Sequence, residues 1–252
     1  MIINDFVLLG TTVPEPMKDG RVVRCSAGYS PELGELIRLY PLSPAGGLHR
    51  WDMFHLELER NPKDNRRESW KLGGDRHDQA AVDGLTRALA ENGHHAQVSR
   101  GVRLEQIDRF VAPSIKWLND RRLSLGIIKP ELIDYHYEID KGADRAQQQF
   151  EGLETPAPEA GRHAYVARPK IRFRDEDGFH DLSFNAHDAY EWLRKNPEAS
   201  RASLFDNLRW QQPERDVRLL VGNLSHQRNV WVVIAYLGLP QPQPSLFSLE
   251  TL

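Results

Sequence analysis

An α+β, β-rich fold is what this sequence predicts, with two strand-rich halves flanking a mainly helical middle. Three observations carry that expectation. The first 72 or so residues break into short apolar segments with strand patterning. Residues Gln79–Asn92 and Leu104–Arg122 then repeat apolar side chains at helical spacing. From Tyr165 onward strand patterning returns, ending in the strongly apolar run NVWVVIAYL.

In the N-terminal part Ile2–Leu9 reads as a strand, and Thr12–Gly20, rich in Pro, Gly and charge, as a turn region. The run Arg21–Leu42 supplies two strands, Val22–Tyr29 and Glu35–Leu42, around a Ser-Pro-Glu-Leu-Gly turn. Val22, Val23, Ile37 and Leu39 can fill a core, whereas Arg24, Tyr29, Arg38 and Tyr40 give the sheet a charged and aromatic lining. In Met53–Glu59 the residues Phe54, Leu56 and Leu58 alternate with His55, Glu57 and Glu59, the pattern of a half-buried strand. Glu68–Leu72 closes the set, and about five short strands is what a small barrel of the OB or SH3 type needs.

In the middle, Ala81, Val82, Leu85, Ala88 and Leu89 share one helical face, with Asp78 as N-cap and Gly93 as stop signal. Pro113 splits Leu104–Arg122 into two short helices. Ser124–Ile139 reads as a turn and an extended segment, and the polar stretch Asp140–Arg162 as a linker or mobile loop. Strands follow at Tyr165–Arg174 and Phe179–Phe184, a helix at Ala186–Lys195, more helix at Leu204–Arg209, then strands at Val217–Gly222 and Asn229–Leu237. The last strand is apolar on both faces, which predicts a central position. The domain boundaries that result are 1–75 for an N-terminal barrel, 76–140 for a helical segment and connection, 141–162 for the loop, and 163–252 for a second barrel with inserted helices.

Composition bounds the function. At 252 residues with 40% hydrophobic and 27% charged side chains, the chain reads as an ordinary globular protein able to bury a core. No apolar run approaches the roughly 20 residues of a membrane helix. Ile2–Leu9 is short, contains Asp5 and lacks a preceding basic region, so neither a secretory leader nor a membrane partner is expected. One cysteine excludes an internal disulfide and fits a cytoplasmic location. The formal charge of −3 gives no overall attraction to nucleic acid but leaves room for a local basic groove.

The strongest local signal is the strand ARPKIRFR, in which Arg168, Lys170, Arg172 and Arg174 share one face because strand side chains alternate. Such a row can track phosphates, with nearby aromatics stacking on unpaired bases. The alternative is a solvated strand whose charges pair with Asp175, Glu176 and Asp177. Its N-terminal counterpart is Arg24, Arg38, Tyr40, Arg66, Arg67, Trp70 and Lys71. Trp51 and Trp70, beside charged loops, are the stacking candidates, and Trp192 and Trp231 read as core. His94, His95, His163, His180 and His187 are too scattered for a metal site, and no metal or cofactor is expected. Glu57, Glu59, Asp64 and Glu68 offer a hydrolase reading, but Glu68-Ser-Trp-Lys71 is one residue longer than the Glu-x-Lys of a nuclease core. No phosphate loop, nucleophile elbow or dinucleotide fingerprint is present, so no catalytic residue is assigned.

The segments RCSAGYSPELGELIRLYPL, RRESWKL, SLGIIKPELID, FRDEDGFHDLSFNAHDAYEWLR and LLVGNLSHQRNVWVVIAYLGLP together resemble the prokaryotic dual OB-containing domain family. That resemblance spans nearly the entire chain and implies two small OB-like β-barrels with an intervening helical segment. OB folds bind oligonucleotides or serve in protein assembly. It also implies a place in bacterial antiviral defence. Relatives with zinc-ligand cysteines near FRDEDGFHD have no match here, because the only cysteine is Cys25.

The expectation is therefore a non-enzymatic module that binds single-stranded or structured nucleic acid. Its binding should fall when Arg172 and Arg174 become glutamate. The runner-up is an accessory subunit whose barrels bind a protein partner such as a nuclease or ATPase.

Overall fold

The computed structural model describes residues 1–139, 167–196, 201–209 and 215–240. The loop expected over 141–162 and the tail beyond 240 lie outside them. The first sheet comprises β1 (Ile2–Thr11), the two-residue β2 (Glu15–Pro16), β3 (Val22–Ser30), β4 (Glu35–Leu42), β5 (Asp52–Arg60), β6 (Ser69–Leu72) and β7 (His94–Gln97). β1 pairs with β5 through its first half and with β3 through its second. The order β1-β3-β4-β6-β5 thereby closes on itself as a five-stranded barrel. The β4–β6 pairing is parallel and the others around the ring are antiparallel, the arrangement of an OB barrel.

The alternation read from Met53–Glu59 places Phe54, Leu56 and Leu58 inside, with Ile3, Phe6, Leu8, Ile37 and Leu39. Ile3 and Phe6 are both interior, three apart, because the register shifts between them by a β-bulge.

The connection carries α1 (Gln79–Ala88), a π-turn at Leu89–Gly93 and a 3₁₀ turn at Arg100–Val102. Next come α2 (Arg103–Asp108), β8 (Val111–Ala112) and α3 (Ile115–Asp120). Asp78 caps α1 by accepting from the Ala81 N–H at 2.8 Å. Pro113 separates α2 from α3 as expected, and Ser114 caps α3 through the Trp117 N–H at 3.0 Å.

The second sheet comprises β8, β9 (Leu125–Ile128), β10 (Glu131–Ile139), β11 (Ala167–Asp175), β12 (Gly178–Phe184), β13 (Arg215–Asn223) and β14 (Trp231–Pro240). Helices α4 (His187–Lys195) and α5 (Arg201–Asn207) lie between β12 and β13. The strand order is β10-β11-β12-β14-β13-β9, with β12–β14 parallel. Only Lys129 and Pro130 separate β9 from β10. Counted as one interrupted strand, they pair with β13 first and β11 second, as β1 does with β5 and β3. The second sheet thus repeats the first barrel's topology, and the fold is α+β, β-rich.

One boundary changes. Leu125–Ile139, drawn into the 76–140 connection, belongs to the second sheet, while His94–Gln97 in that connection pairs with β5 of the first. Proline cannot donate a ladder hydrogen bond, so Lys129-Pro130 breaks the strand pattern that would have marked the segment.

The barrels are fused through a cluster of fifteen buried residues among those described, against eleven in the interior cluster of the first barrel. β1 contributes Val7 and Leu9, β3 contributes Ala27 and Tyr29, and β14 contributes Val232, Ile234, Ala235, Leu237 and Leu239. This explains why β14 is apolar on both faces. Trp231, Val233 and Tyr236 fill the second barrel, and a register shift against β13 puts Ile234 and Ala235 on the same outer face.

The outer face of β14 meets Gly10 of β1, where an added Cβ would stand 2.6 Å from the Ala235 Cβ. Two backbone-anchored carbons cannot rotate away from each other. Gly10→Val is expected to destabilise by about 1–3 kcal/mol through overpacking. Chemical denaturation checks this, and Ala235→Gly in the Gly10→Val background should restore part of the loss.

Candidate nucleic-acid interface

In an OB barrel the second and third strands form the usual ligand face. In the first barrel these are β3 and β4, and the second barrel covers them. Tyr29, from the expected polar lining, is 0% exposed, and Arg24, Arg38 and Arg66 are 3%, 4% and 7% exposed. Arg38 donates to the Ser124 carbonyl at 2.6 Å and to the Cys25 sulfur at 3.4 Å. Glu68 accepts from the Ser124 N–H at 2.8 Å and its hydroxyl at 2.9 Å. Arg66 reaches the Asn223 carbonyl at 2.8 Å and pairs with Asp64. Burial opposes ionisation of Asp64, yet its bonds from Arg66 and Ser69 hold its pKa down to about 2. Arg24 donates only to the Gly46 carbonyl, at 3.1 Å. Arg38 and Arg66 are spent on protein groups across the junction and all three arginines are buried, so the expectation that they form an open nucleic-acid surface is corrected accordingly.

The rest of the N-terminal set is partly exposed but engaged. Arg67 pairs with Glu35, and Lys71 with Glu59 at 3.1 Å. Tyr40 is half-buried on β4, and burial raises its hydroxyl pKa. Trp70 is half-buried with the Arg60 guanidinium 3.6 Å from its ring centre. Trp51, expected to be partly exposed, is 5% exposed within the junction.

The ligand face of the second barrel is β11 and β12. Arg168, Lys170, Arg172 and Arg174 do share the outer face of β11. Opposite them on β10 stand Glu138, His136, Asp134 and Glu131, and Arg172 also faces Asp181 on β12. Lys170 lies 3.4 Å from Asp181, Arg172 3.7 Å from Asp134 and Arg174 3.8 Å from Glu131. Four cations therefore meet four carboxylates, and the face carries no net field to attract a polyanion.

The nearby acids Asp175 and Asp177, expected to pair with this row, instead hold the start of α3. Asp175 accepts from the Ile115 N–H at 2.8 Å, and Asp177 accepts from the Ser114 hydroxyl.

A different set of cations lies along the rim of the junction. Ile107, 0% exposed, pins α2 into the junction core, and Leu104 and Phe110 pack beside it. This turns Arg103 and Arg109 toward the rim. The Arg103 guanidinium sits 4.9 Å from the Trp51 ring centre. Its Nε donates to the Val98 carbonyl at 3.0 Å, and burial first, then the neighbouring cations Arg100 and Arg50, lower its pKa. Arg109 lies 4.9 Å from the Phe110 ring centre and 5.9 Å from that of Tyr29. Burial pushes the Tyr29 hydroxyl up to about 12 against the pull of Arg109 and Arg103. Phe110 and Trp117 line a groove of about 220 Å³ together with Arg67, Arg109, Leu123 and Leu125. Arg121 stacks 3.9 Å over Trp117.

Arg50 and Arg67 have carboxylate partners, Asp188 and Glu35. Among the described residues Arg100, Arg103, Arg109 and Arg121 have none within ion-pair distance. The track thus combines uncompensated guanidinium groups with aromatic rings. None of these four was among the sequence candidates. The legible signal was SRGVRLEQIDRF, where Leu104 and Ile107 mark the inward face and leave the arginines outward.

The carboxylates of the hydrolase reading do not converge. Glu68 is committed to Ser124, Glu59 to Lys71 and Arg76, and Asp64 to Arg66 and Ser69. Among the described residues no group of three His, Cys, Asp or Glu could hold a metal ion. No helix there is long and apolar enough to cross a membrane.

Residues 4–91 match the family model described as a domain of unknown function, DUF8758. The match starts inside β1, covers the other four ring strands and α1, and ends inside the π-turn. No curated protein matches the chain significantly.

Proposed function

We propose that the protein is a non-enzymatic, cytoplasmic module that binds single-stranded nucleic acid along the junction of its two barrels. The observation that carries this reading is the rim track, in which Arg100, Arg103, Arg109 and Arg121 stand without carboxylate partners among the described residues, Arg109 beside Phe110, Arg121 over Trp117 and Arg103 over Trp51. Guanidinium groups supply phosphate contacts and half-buried rings supply base stacking that every base accepts. The dual OB-containing resemblance agrees with this reading and is the sole ground for a role in antiviral defence.

If the four arginines each neutralise one phosphate, the log–log salt slope for a single strand is about −2.8. Affinity for a labelled pyrimidine oligonucleotide should then fall about 50-fold between 50 and 200 mM salt. Fluorescence anisotropy reads this directly. Absent or salt-insensitive binding across single-stranded DNA and RNA would sink the reading.

A second reading, an accessory subunit that docks on a protein partner, draws on the β10–β11–β12 face. It is charge-neutral, and Phe179 at its end is 66% exposed beneath the Arg174 guanidinium. An alternating, ion-paired face with an exposed aromatic suits a protein surface better than a phosphate backbone. Co-purification from the native host that is lost on Phe179→Asp would favour it.

A further inference from the structure

The two halves of the chain form a half-open pocket of about 450 Å³, none of whose lining residues belongs to the rim track. Gly20 and Val22 at the start of β3, Ser43–Ala45 after β4, Gln79 and Asp83 on α1, and His187 and Glu191 on α4 form its walls. The volume falls in the range of small-molecule sites, and both halves of the chain contribute polar groups to it.

The groups around the cavity are incompletely satisfied. Gln79 spends its carbonyl on the Val22 N–H at 2.7 Å and its amide on Asp83 Oδ1 at 2.6 Å. Ser43 donates to the same Asp83 oxygen at 2.5 Å, and among the described residues no donor is bonded to Oδ2. Glu191 holds Arg194 at 2.8 Å. His187 presents a buried Nδ1 with no hydrogen-bond partner. Burial and the nearby Arg24 cation lower its pKa, so the ring is neutral near pH 7.

Arg24 leaves β3 on the same side as Val22 and reaches the Gly46 carbonyl, next to the lining residue Ala45. It is 3% exposed, its Nε has no partner, and no carboxylate lies within ion-pair distance among the described residues. Burial alone pulls its guanidinium pKa down to about 10. A buried, unpaired cation is costly to the folded state, and an anion bound beside it would offset that cost.

We infer that this cavity binds a small anionic molecule that also carries hydrogen-bond donors, of about the size of a nucleoside monophosphate, with its anion toward Arg24 and His187 and its donors toward Asp83. A phosphate or a carboxylate would satisfy the first pair, and an amino or hydroxyl group the second. This site is separate from the rim arginines and does not depend on them.

The test is a thermal-shift and calorimetric titration of the full chain with AMP, GMP, CMP and UMP. Inorganic phosphate and glutamate serve as arms that separate a nucleotide from a bare anion and from an amino acid. Saturable binding of a nucleotide or of glutamate is expected, weakened at least about tenfold by Arg24→Met and by Asp83→Asn. Arg24→Met should also raise the melting temperature of the ligand-free protein, because it removes an uncompensated buried charge. Arg172→Glu, which alters no residue of the cavity lining, should leave binding unchanged. No binding by any probe overturns the inference, as does binding that survives both cavity substitutions. Phosphate binding as strong as that of every larger probe also overturns it, by removing the role of Asp83.

Discussion

Glu68→Ala is expected to destabilise the protein by about 2–5 kcal/mol, since it strands two buried donors at once. Ser124 is 0% exposed, and both its N–H and its hydroxyl donate to the Glu68 carboxylate. The hydroxyl can turn to seek another acceptor, but the amide is fixed by the start of β9. The neighbouring groups cannot substitute. The Ser124 carbonyl already accepts from Arg38 at 2.6 Å and from the Asn223 N–H at 3.0 Å, and these bonds need the chain to stay where Glu68 holds it.

Glu68→Gln keeps one carbonyl acceptor and should lose roughly half as much. Urea denaturation followed by tryptophan fluorescence measures both. Because the junction cluster contains more buried residues than the first barrel's own interior cluster, the wild type should unfold in one transition. A loss below about 1 kcal/mol for Glu68→Ala would mean that the junction is not held by this contact.

The same residues show what a sequence can and cannot disclose. Alternation in Met53–Glu59 and in ARPKIRFR correctly sorted side chains between two faces, because period-two geometry is local. It could not say what covers the outer face. In β3 and β4 the pattern of Tyr29, Arg24 and Arg38 opposite an aliphatic core looks like a ligand surface, but the covering body is the second barrel, contributed by residues about a hundred positions away and more. Arg38 faces outward from its own barrel and inward to the molecule.

The charge row on β11 is neutralised for a related reason. Its neutralising partners Glu131, Asp134 and Glu138 come from β10, a strand that the sequence left as an extended segment. The adjacent acids Asp175 and Asp177 looked like partners only because they are close in the chain. The shared topology of the two barrels was also hidden, since Lys129-Pro130 divides the first strand of one and leaves that of the other whole. Helix boundaries fared better, because Asp78, Ser114 and Pro113 act within one turn.

The contrast between these two arginine sets gives the second large expected effect. Arg109→Glu combined with Arg121→Glu should weaken oligonucleotide binding by at least about 25-fold near 0.1 M salt, from the loss of two of four phosphate contacts. Arg172→Glu combined with Arg174→Glu should change it by less than about threefold, because at about 0.1 M salt charges more than roughly 10 Å from the strand are screened. That outcome reverses the sequence-based expectation for Arg172 and Arg174, and it follows from their pairing with Asp134 and Glu131.

Trp117→Ala should cost about 1–3 kcal/mol of binding with little change in salt slope, since stacking releases no counterions. Far-ultraviolet circular dichroism on each variant separates lost binding from lost structure, as Arg109 and Arg121 are exposed and stack on aromatic faces. If the Arg172 and Arg174 pair proved the more damaging, the strand would have to run over β11 against four carboxylates. The rim track would then be a solvated edge, with its cations held by the rings beneath them rather than kept for phosphate.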